Sequence, residues 1–93
     1  MSLQFEWDPK KAEANLAKHS ISFEEAITVF ADPLARIFND EEHSGAERRE
    51  IIIGHSNKNR LLVVSYTRRT FAIIRIISAR RAIQKEWKEY EEK

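Results

Sequence analysis

The side chains best suited to chemistry are cationic and crowd the second half of the chain. Between His55 and Arg81 stand Lys58, Arg60, Arg68, Arg69, Arg75, Arg80 and Arg81, with no acid among them. A guanidinium presents a planar fork of donors that matches phosphate oxygens. The run therefore points to a basic face for a polyanion or an acidic partner, although a charge run is more commonly just a solvated surface. Arg75 is the most informative member, because it interrupts Ile73-Ile74-Arg75-Ile76-Ile77, the most apolar stretch of the sequence. On a strand it shares a face with Ile73 and Ile77. A guanidinium there must either meet a carboxylate, such as Asp32 or Glu86, or open into a cleft, since an unpaired buried charge is very costly. Arg80 follows at the end of the same strand, on the opposite face unless a helix has begun. Arg60 and Arg68 share strand parity with Tyr66, an arrangement that can set two cations and a phenol side by side or simply decorate a strand edge. His43, Glu47 and Arg48 lie just before the first long strand. They can supply acid, base and phosphate clamp, or form a polar loop with no chemical role. His19 falls at a helix C-terminus, where it meets the helix dipole. Trp87 and Tyr90 read as core or interface residues.

Other chemistries are poorly represented. There is no cysteine, which removes disulfides, thiolate nucleophiles and cysteine-ligated metals. His19, His43 and His55 are widely spaced, and no two sit at i and i+4, so neither a zinc site nor any other cofactor is expected. With two glycines, a glycine-rich phosphate loop is not expected. Ser44 beside His43 is too common a pair to mark a nucleophile. No apolar run approaches the ~18 residues of a membrane helix, and Met1-Ser2-Leu3 opens no recognisable signal peptide. A reducing cytoplasm is the expected compartment. The net charge of +1 hides a division: residues 1–43 carry four bases against nine acids, and residues 44–93 carry twelve against six.

The elements that must position these residues are well marked. At 93 residues the chain is expected to be one domain, 1–93. Leu3, Phe5 and Trp7 alternate with Gln4 and Glu6, as in a short strand. Asp8-Pro9 starts a helix that runs to about His19. Ser22-Phe23-Glu24-Glu25 is a capping box for a second helix, which Asp32-Pro33 ends. Residues 40–46 are loop-like. Strands follow over 49–55, 60–68 and 71–79, with hairpin turns at Asn57-Lys58-Asn59 and Arg69-Thr70. A last helix spans about 79–92. This order predicts an α+β domain with helices packed on one face of a curved antiparallel sheet.

Several residues then fall into a familiar order: Phe5-Glu6-Trp7-Asp8, Asn15, Lys18-His19, Phe23-Glu24-Glu25-Ala26, Phe30, Asp32-Pro33, Asp40, His43-Ser44, Glu47-Arg48 and Ile53-Gly54. Arg60-Leu61-Leu62-Val63-Val64, Tyr66-Thr67, Ile74-Arg75-Ile76-Ile77-Ser78-Ala79-Arg80-Arg81-Ala82, Glu86 and Tyr90 complete the set. Over nearly its whole length the chain resembles the BrnT family of type II toxins. The resemblance implies a RelE-like ribonuclease fold, with an antiparallel sheet of about four to five strands, two N-terminal helices and a C-terminal helix. It implies an endoribonuclease that inhibits translation and growth. It also implies a neutralising ribbon-helix-helix antitoxin, BrnA, in a heterotetramer that meets operator DNA only through the antitoxin. Two departures stand out: Ser20 replaces a usual glycine after Lys-His, and Ile83 and Trp87 make the last helix less polar.

RNA cleavage by the ribose 2′-hydroxyl needs a base, cations at the phosphorus oxygens and an acid for the leaving oxygen. These residues could supply all three without a metal. Arg75 and Arg60 are the expected phosphate stabilisers, with Arg48 or Arg80 assisting and His43 or Glu47 moving the proton. Arg80, Arg68, Arg69, Lys58 and Tyr66 are the expected RNA-binding residues. The competing reading is a non-catalytic module of the same fold that binds an antitoxin or a nucleic acid.

Overall fold

A computed structural model describes residues 3–43, 45 and 47–91, with the side chain of His43 left undescribed. The elements are β1 (Gln4–Glu6), α1 (Pro9–His19), α2 (Phe23–Ala26) continued by a 3₁₀ turn over Ile27–Ala31, and β2 (Arg36–Asn39). A short 3₁₀ turn over Glu41–His43, β3 (Arg49–His55), β4 (Leu61–Thr70), β5 (Ile73–Arg81) and α3 (Gln84–Glu91) complete the order. The α+β class holds, but the sheet is mixed. Its order is β1-β5-β4-β3-β2, with β1 parallel to β5 and every other pair antiparallel.

Local chemistry sets the helix ends. Asp8 accepts from the Lys10 N–H at 2.9 Å, and Pro9 occupies the first turn where an N–H has no partner. Ser20 closes α1 in the left-handed conformation (φ 61°), its N–H donating to the Leu16 carbonyl. Ser22 caps α2 by accepting from the Glu25 N–H at 3.0 Å. The reciprocal half of the expected capping box is absent, because the Glu25 carboxylate points to Arg60 and Ser56 instead.

Three boundaries differ from the sequence reading. β2 was not marked, since four residues with two adjacent apolar ones show no alternation; its strand form comes from pairing with β3. The β4–β5 turn falls at Phe71-Ala72 rather than Arg69-Thr70. β5 runs on to Arg81, so α3 begins at Gln84 rather than Ala79.

The helices cover one face of the sheet. Ile52, Leu62, Val64, Tyr66, Ile74, Ile76 and Ala79 pack there against Ile21, Phe23, Ala26 and Val29. Phe30 bridges Phe5 and Tyr66, at 5.1 Å between ring centroids in each case. Asn15, buried in α1, donates to the carbonyls of Ile21 and Ala79 and accepts from the Ala79 N–H, which pins α1 to β5. At Gly54 an added Cβ would lie 3.0 Å from Val29, Asp32 and Ala35, so the 3₁₀ turn approaches β3 as closely as a side-chain-free residue permits. On the other face Tyr90 of α3 packs on Ile53, Leu61 and Val63 at one end. Among the described residues no α-helix covers the remainder of that face, where Thr67 is nonetheless buried between strands. Among the described residues, no helix is long and apolar enough to cross a membrane.

Candidate active site

The open face is built as rows of cross-strand partners. Arg49 pairs with Thr67, Thr67 with Arg75 and Arg75 with Glu6, which makes one row across four strands. Ile51, Ser65 and Ser78 form the next row, and Ile53, Val63 and Arg80 the third. A bulge sets the last two. Ser65 opposes Ser78 while Tyr66 opposes Ile76, so Ile77 is an extra residue on β5. One extra residue inverts the alternation of the strand. Arg80 therefore lies on the same face as Arg75, not on the opposite one as unbroken parity predicts. By strand rise their backbones are about 13 Å apart. A groove runs between the rows, walled by Ile51, Val63, Ser65, Ile77, Ser78 and Arg80, with Asp40, Glu42 and Arg49 at its rim.

Two guanidiniums converge at one end of this face. Arg75 Nη1 and Arg69 Nη1 each donate to Glu6 Oε2 at 3.0 Å. Arg69 Nε also lies 4.0 Å from Glu47 Oε2. All four side chains are well exposed, between 39% and 62%. Exposed pairs of this kind contribute about 0–1 kcal/mol, so a competing anion displaces them at little cost. Arg80 is held differently. Its two terminal nitrogens grip the Glu86 carboxylate at 2.9 and 2.7 Å, and Glu86 also accepts from the Ile83 N–H at the start of α3. The Arg80 guanidinium, outweighing partial burial, draws the Glu86 carboxyl below its ordinary value. Neither Asp32 nor Glu86 is the partner of Arg75.

The remaining expected site residues scatter. Arg60 lies on the helix side, its Nε 2.9 Å from Glu25 Oε2 and its Nη2 bonded to Glu25 Oε1. Ser56 Oγ donates to the same carboxylate at 2.6 Å. Arg60 thus neutralises a buried acid through its Nε–Nη2 edge, on the face of the sheet away from the groove. Tyr66 is fully buried against Phe30. Burial, with Glu50 opposite it on β3, raises its pKa, and it cannot touch RNA. Parity placed Tyr66 correctly with other alternating positions, but on the face the helices cover. Arg68 donates to the Phe71 carbonyl in the β4–β5 turn, and Lys58 is exposed at the other end of β4. Arg48 is exposed just before β3. The side chain of His43, and Ser44 beside it, lie outside the described residues.

Sequence reasoning missed Glu6 as the partner of Arg75, and missed Arg49, Asp40 and Glu42 at the groove. It also missed a cluster under α3. There Asp32 Oδ2 accepts from the His55 N–H and the Tyr90 hydroxyl, both at 2.8 Å, while His55 Nδ1 lies 3.2 Å from that hydroxyl. Burial would raise the Asp32 carboxyl. The hydrogen bonds from His55, Leu34 and Tyr90 outweigh it and leave Asp32 below its usual range. Burial and the bond to Asp32 push Tyr90 up to about 12. Among the described residues, no group of three or more His, Cys, Asp or Glu is arranged to hold a metal ion.

A mixed sheet with helices on one face and, on the other, a groove lined by Arg49 and Arg80 together with Asp40 and Glu42 defines a small α+β chain with a polar cleft. Sequence comparison narrows this. Residues 7–86 match the family model described as the ribonuclease toxin, BrnT, of type II toxin–antitoxin systems, and the chain belongs to that family. It is similar to the ribonuclease toxin BrnT of Brucella abortus, seen in a crystal structure at 1.1 Å resolution. That structure is 25% identical, superposes with a TM-score of 0.68, and covers 89% of this chain and 100% of its own. No curated protein sequence matches significantly. Membership brings a ribonuclease toxin's function and an antitoxin partner.

Proposed function

We propose that this chain cleaves single-stranded RNA without a metal, at the open end of the sheet face, by attack of the ribose 2′-hydroxyl on the adjacent phosphate. The observation that carries this reading is the convergence of Arg69 and Arg75 on a single exposed carboxylate oxygen. An RNA phosphate displaces Glu6 from that pair and takes both guanidiniums. They then stabilise the charge that builds on the phosphorus oxygens. Glu47, beside Arg69, takes the 2′-hydroxyl proton. The P–O5′ bond breaks, the departing oxygen takes a proton from water, and the products are a 2′,3′-cyclic phosphate and a 5′-hydroxyl. Arg80, locked to Glu86, walls the groove and holds its shape. The antitoxin is a ribbon-helix-helix protein of the BrnA kind, which neutralises the toxin in a heterotetramer.

The purified chain, incubated with ribosome-free single-stranded RNA and EDTA, should produce fragments ending in cyclic phosphate. Arg75→Ala should slow cleavage on the order of 10²–10³-fold, as loss of one charge-stabilising donor does. Cleavage by the variant at the wild-type rate would remove Arg75 from the site, and abolition by EDTA would overturn metal independence. A second reading draws on the carboxylates that already neutralise Arg75 and Arg80: a binding module that holds RNA or the antitoxin without cutting. RNA bound but intact would favour it.

A further inference from the structure

The groove does not end at Arg80. Ile77 and Ser78, which wall it at the β5 bulge, also floor a second hollow between β5 and α1. That hollow is lined by Lys11, Asn15, Lys18 and His19. Positions 11, 15 and 18 fall on one face of a helix, so α1 turns a cationic side toward the bulge. Its single acid, Glu13, lines a separate hollow with Trp7 and Leu16. No carboxylate lines the hollow at Ser78. Among the described residues neither Lys11 nor Lys18 makes an ion pair, whereas Arg75, Arg69 and Arg80 each face a carboxylate. The two lysines are two turns apart, about 10 Å along the helix. The hydrogen bonds from Asn15 to Ile21 and Ala79 fix α1 against β5, so the distance from the lysines to the groove is set by the fold.

We propose that Lys11, Lys18 and His19 form a second phosphate-binding site, which holds the RNA backbone where the strand leaves the groove over Ser78. The proposal rests on the RNA reading above and deepens it: the toxin grips nucleotides flanking the cleaved one through their phosphates, without reading their bases. Lysine acts there as a point charge, so the contact is independent of sequence and sensitive to salt.

The test uses the full chain and its Lys11→Gln/Lys18→Gln variant. A fluorescent single-stranded RNA 12-mer, roughly long enough to span both hollows, is titrated over a range of salt. Two lost phosphate contacts should reduce the slope of log affinity against log salt by about 1.4. The ratio of kcat/KM for the 12-mer to that for a dinucleotide should fall roughly tenfold, with the loss in KM. An unchanged salt slope overturns the second site. If the variant loses affinity for an acidic peptide but not for RNA, the lysines serve a protein partner and the proposal fails. The binding readout needs no cleavage, so RNA that is bound with the expected slope difference but left uncut sinks the nuclease reading alone. Wild-type protein that does not bind the 12-mer sinks both.

Discussion

Arg60 and Arg75 carry the same guanidinium and differ in what surrounds it. Arg75 meets an acid that is 40% exposed, and Arg60 meets one whose side chain is 2% exposed. Replacing Arg75 leaves Glu6 to water, with little cost to the fold. Replacing Arg60 strands a buried carboxylate, a mechanism that ranks among the most destabilising single changes. Arg60→Ala should therefore lower the melting temperature by on the order of 10 °C or more. Adding Glu25→Gln should recover part of that loss. Both effects are read by thermal unfolding at pH 7, and a melting temperature unchanged in Arg60→Ala would mean the pair is not structural. From sequence the two arginines look alike, because strand parity says which residues share a face and is silent on which face the helices cover. Arg75 stands out in the sequence because four isoleucines surround it. The partner of Arg75, Glu6, lies 69 residues away and arrives only through parallel pairing of β1 with β5.

The elements most readable in advance are those with local causes. α1 begins at Asp8-Pro9 and ends at His19, as its cap and dipole signals predict. β2 has no local cause, and neither does the bulge at Ile77. One depends on the neighbouring strand, and the other on fitting Ala79 under α1, where Asn15 takes both its N–H and its carbonyl. The bulge is the element-scale event that matters for function, since it turns Arg80 and Ser78 onto the open face. α1 also carries a visible strain. Ser20 adopts φ 61°, ψ 28° at the C-cap, a region that costs a residue with a Cβ roughly 1–2 kcal/mol. Glycine adopts it freely but loses more conformational freedom on folding. The net gain for Ser20→Gly should be below about 1 kcal/mol, a rise in melting temperature of roughly 2–5 °C. A fall on calorimetry would show that the Ser20 side chain makes a stabilising contact that outweighs the backbone strain.

At the scale of the molecule, three carboxylates join parts of the chain that are distant in sequence. Glu25 ties α2 to Ser56 and Arg60 in the β3–β4 turn, and its carboxyl is lowered first by the Arg60 hydrogen bond, against burial. Asp32 ties the end of the 3₁₀ turn to β3 and α3, its hydrogen bonds outweighing burial. Glu86 ties α3 to β5 through Arg80. All three have lower pKa values in the fold than in the unfolded chain, so below the ordinary carboxylate range the unfolded state binds more protons. Their contribution is fully present above about pH 4.5 and is lost as pH falls through the lowered native values. Tyr90 acts with the opposite sign. Its raised value means stability is complete below the ordinary phenol value of about 10 and is lost as pH rises through about 12. The chain should therefore show a plateau of melting temperature between roughly pH 5 and 10, with an acid limb and an alkaline limb. Glu86→Gln, which keeps the shape of the side chain, should make the acid limb shallower, keep the parts due to Glu25 and Asp32, and leave the alkaline limb unchanged. Tyr90→Phe should make the alkaline limb shallower and leave the part that buried Tyr66 contributes. The acid limb also separates the two kinds of arginine pair. The exposed Glu6 cluster is worth little to the fold, so Glu6→Gln should leave the limb as steep as in wild type. If Glu6→Gln flattened it as much as Glu86→Gln does, the open-face arginines would be part of the framework, and their displacement by an RNA phosphate would cost stability that belongs instead to the Glu25, Asp32 and Glu86 contacts.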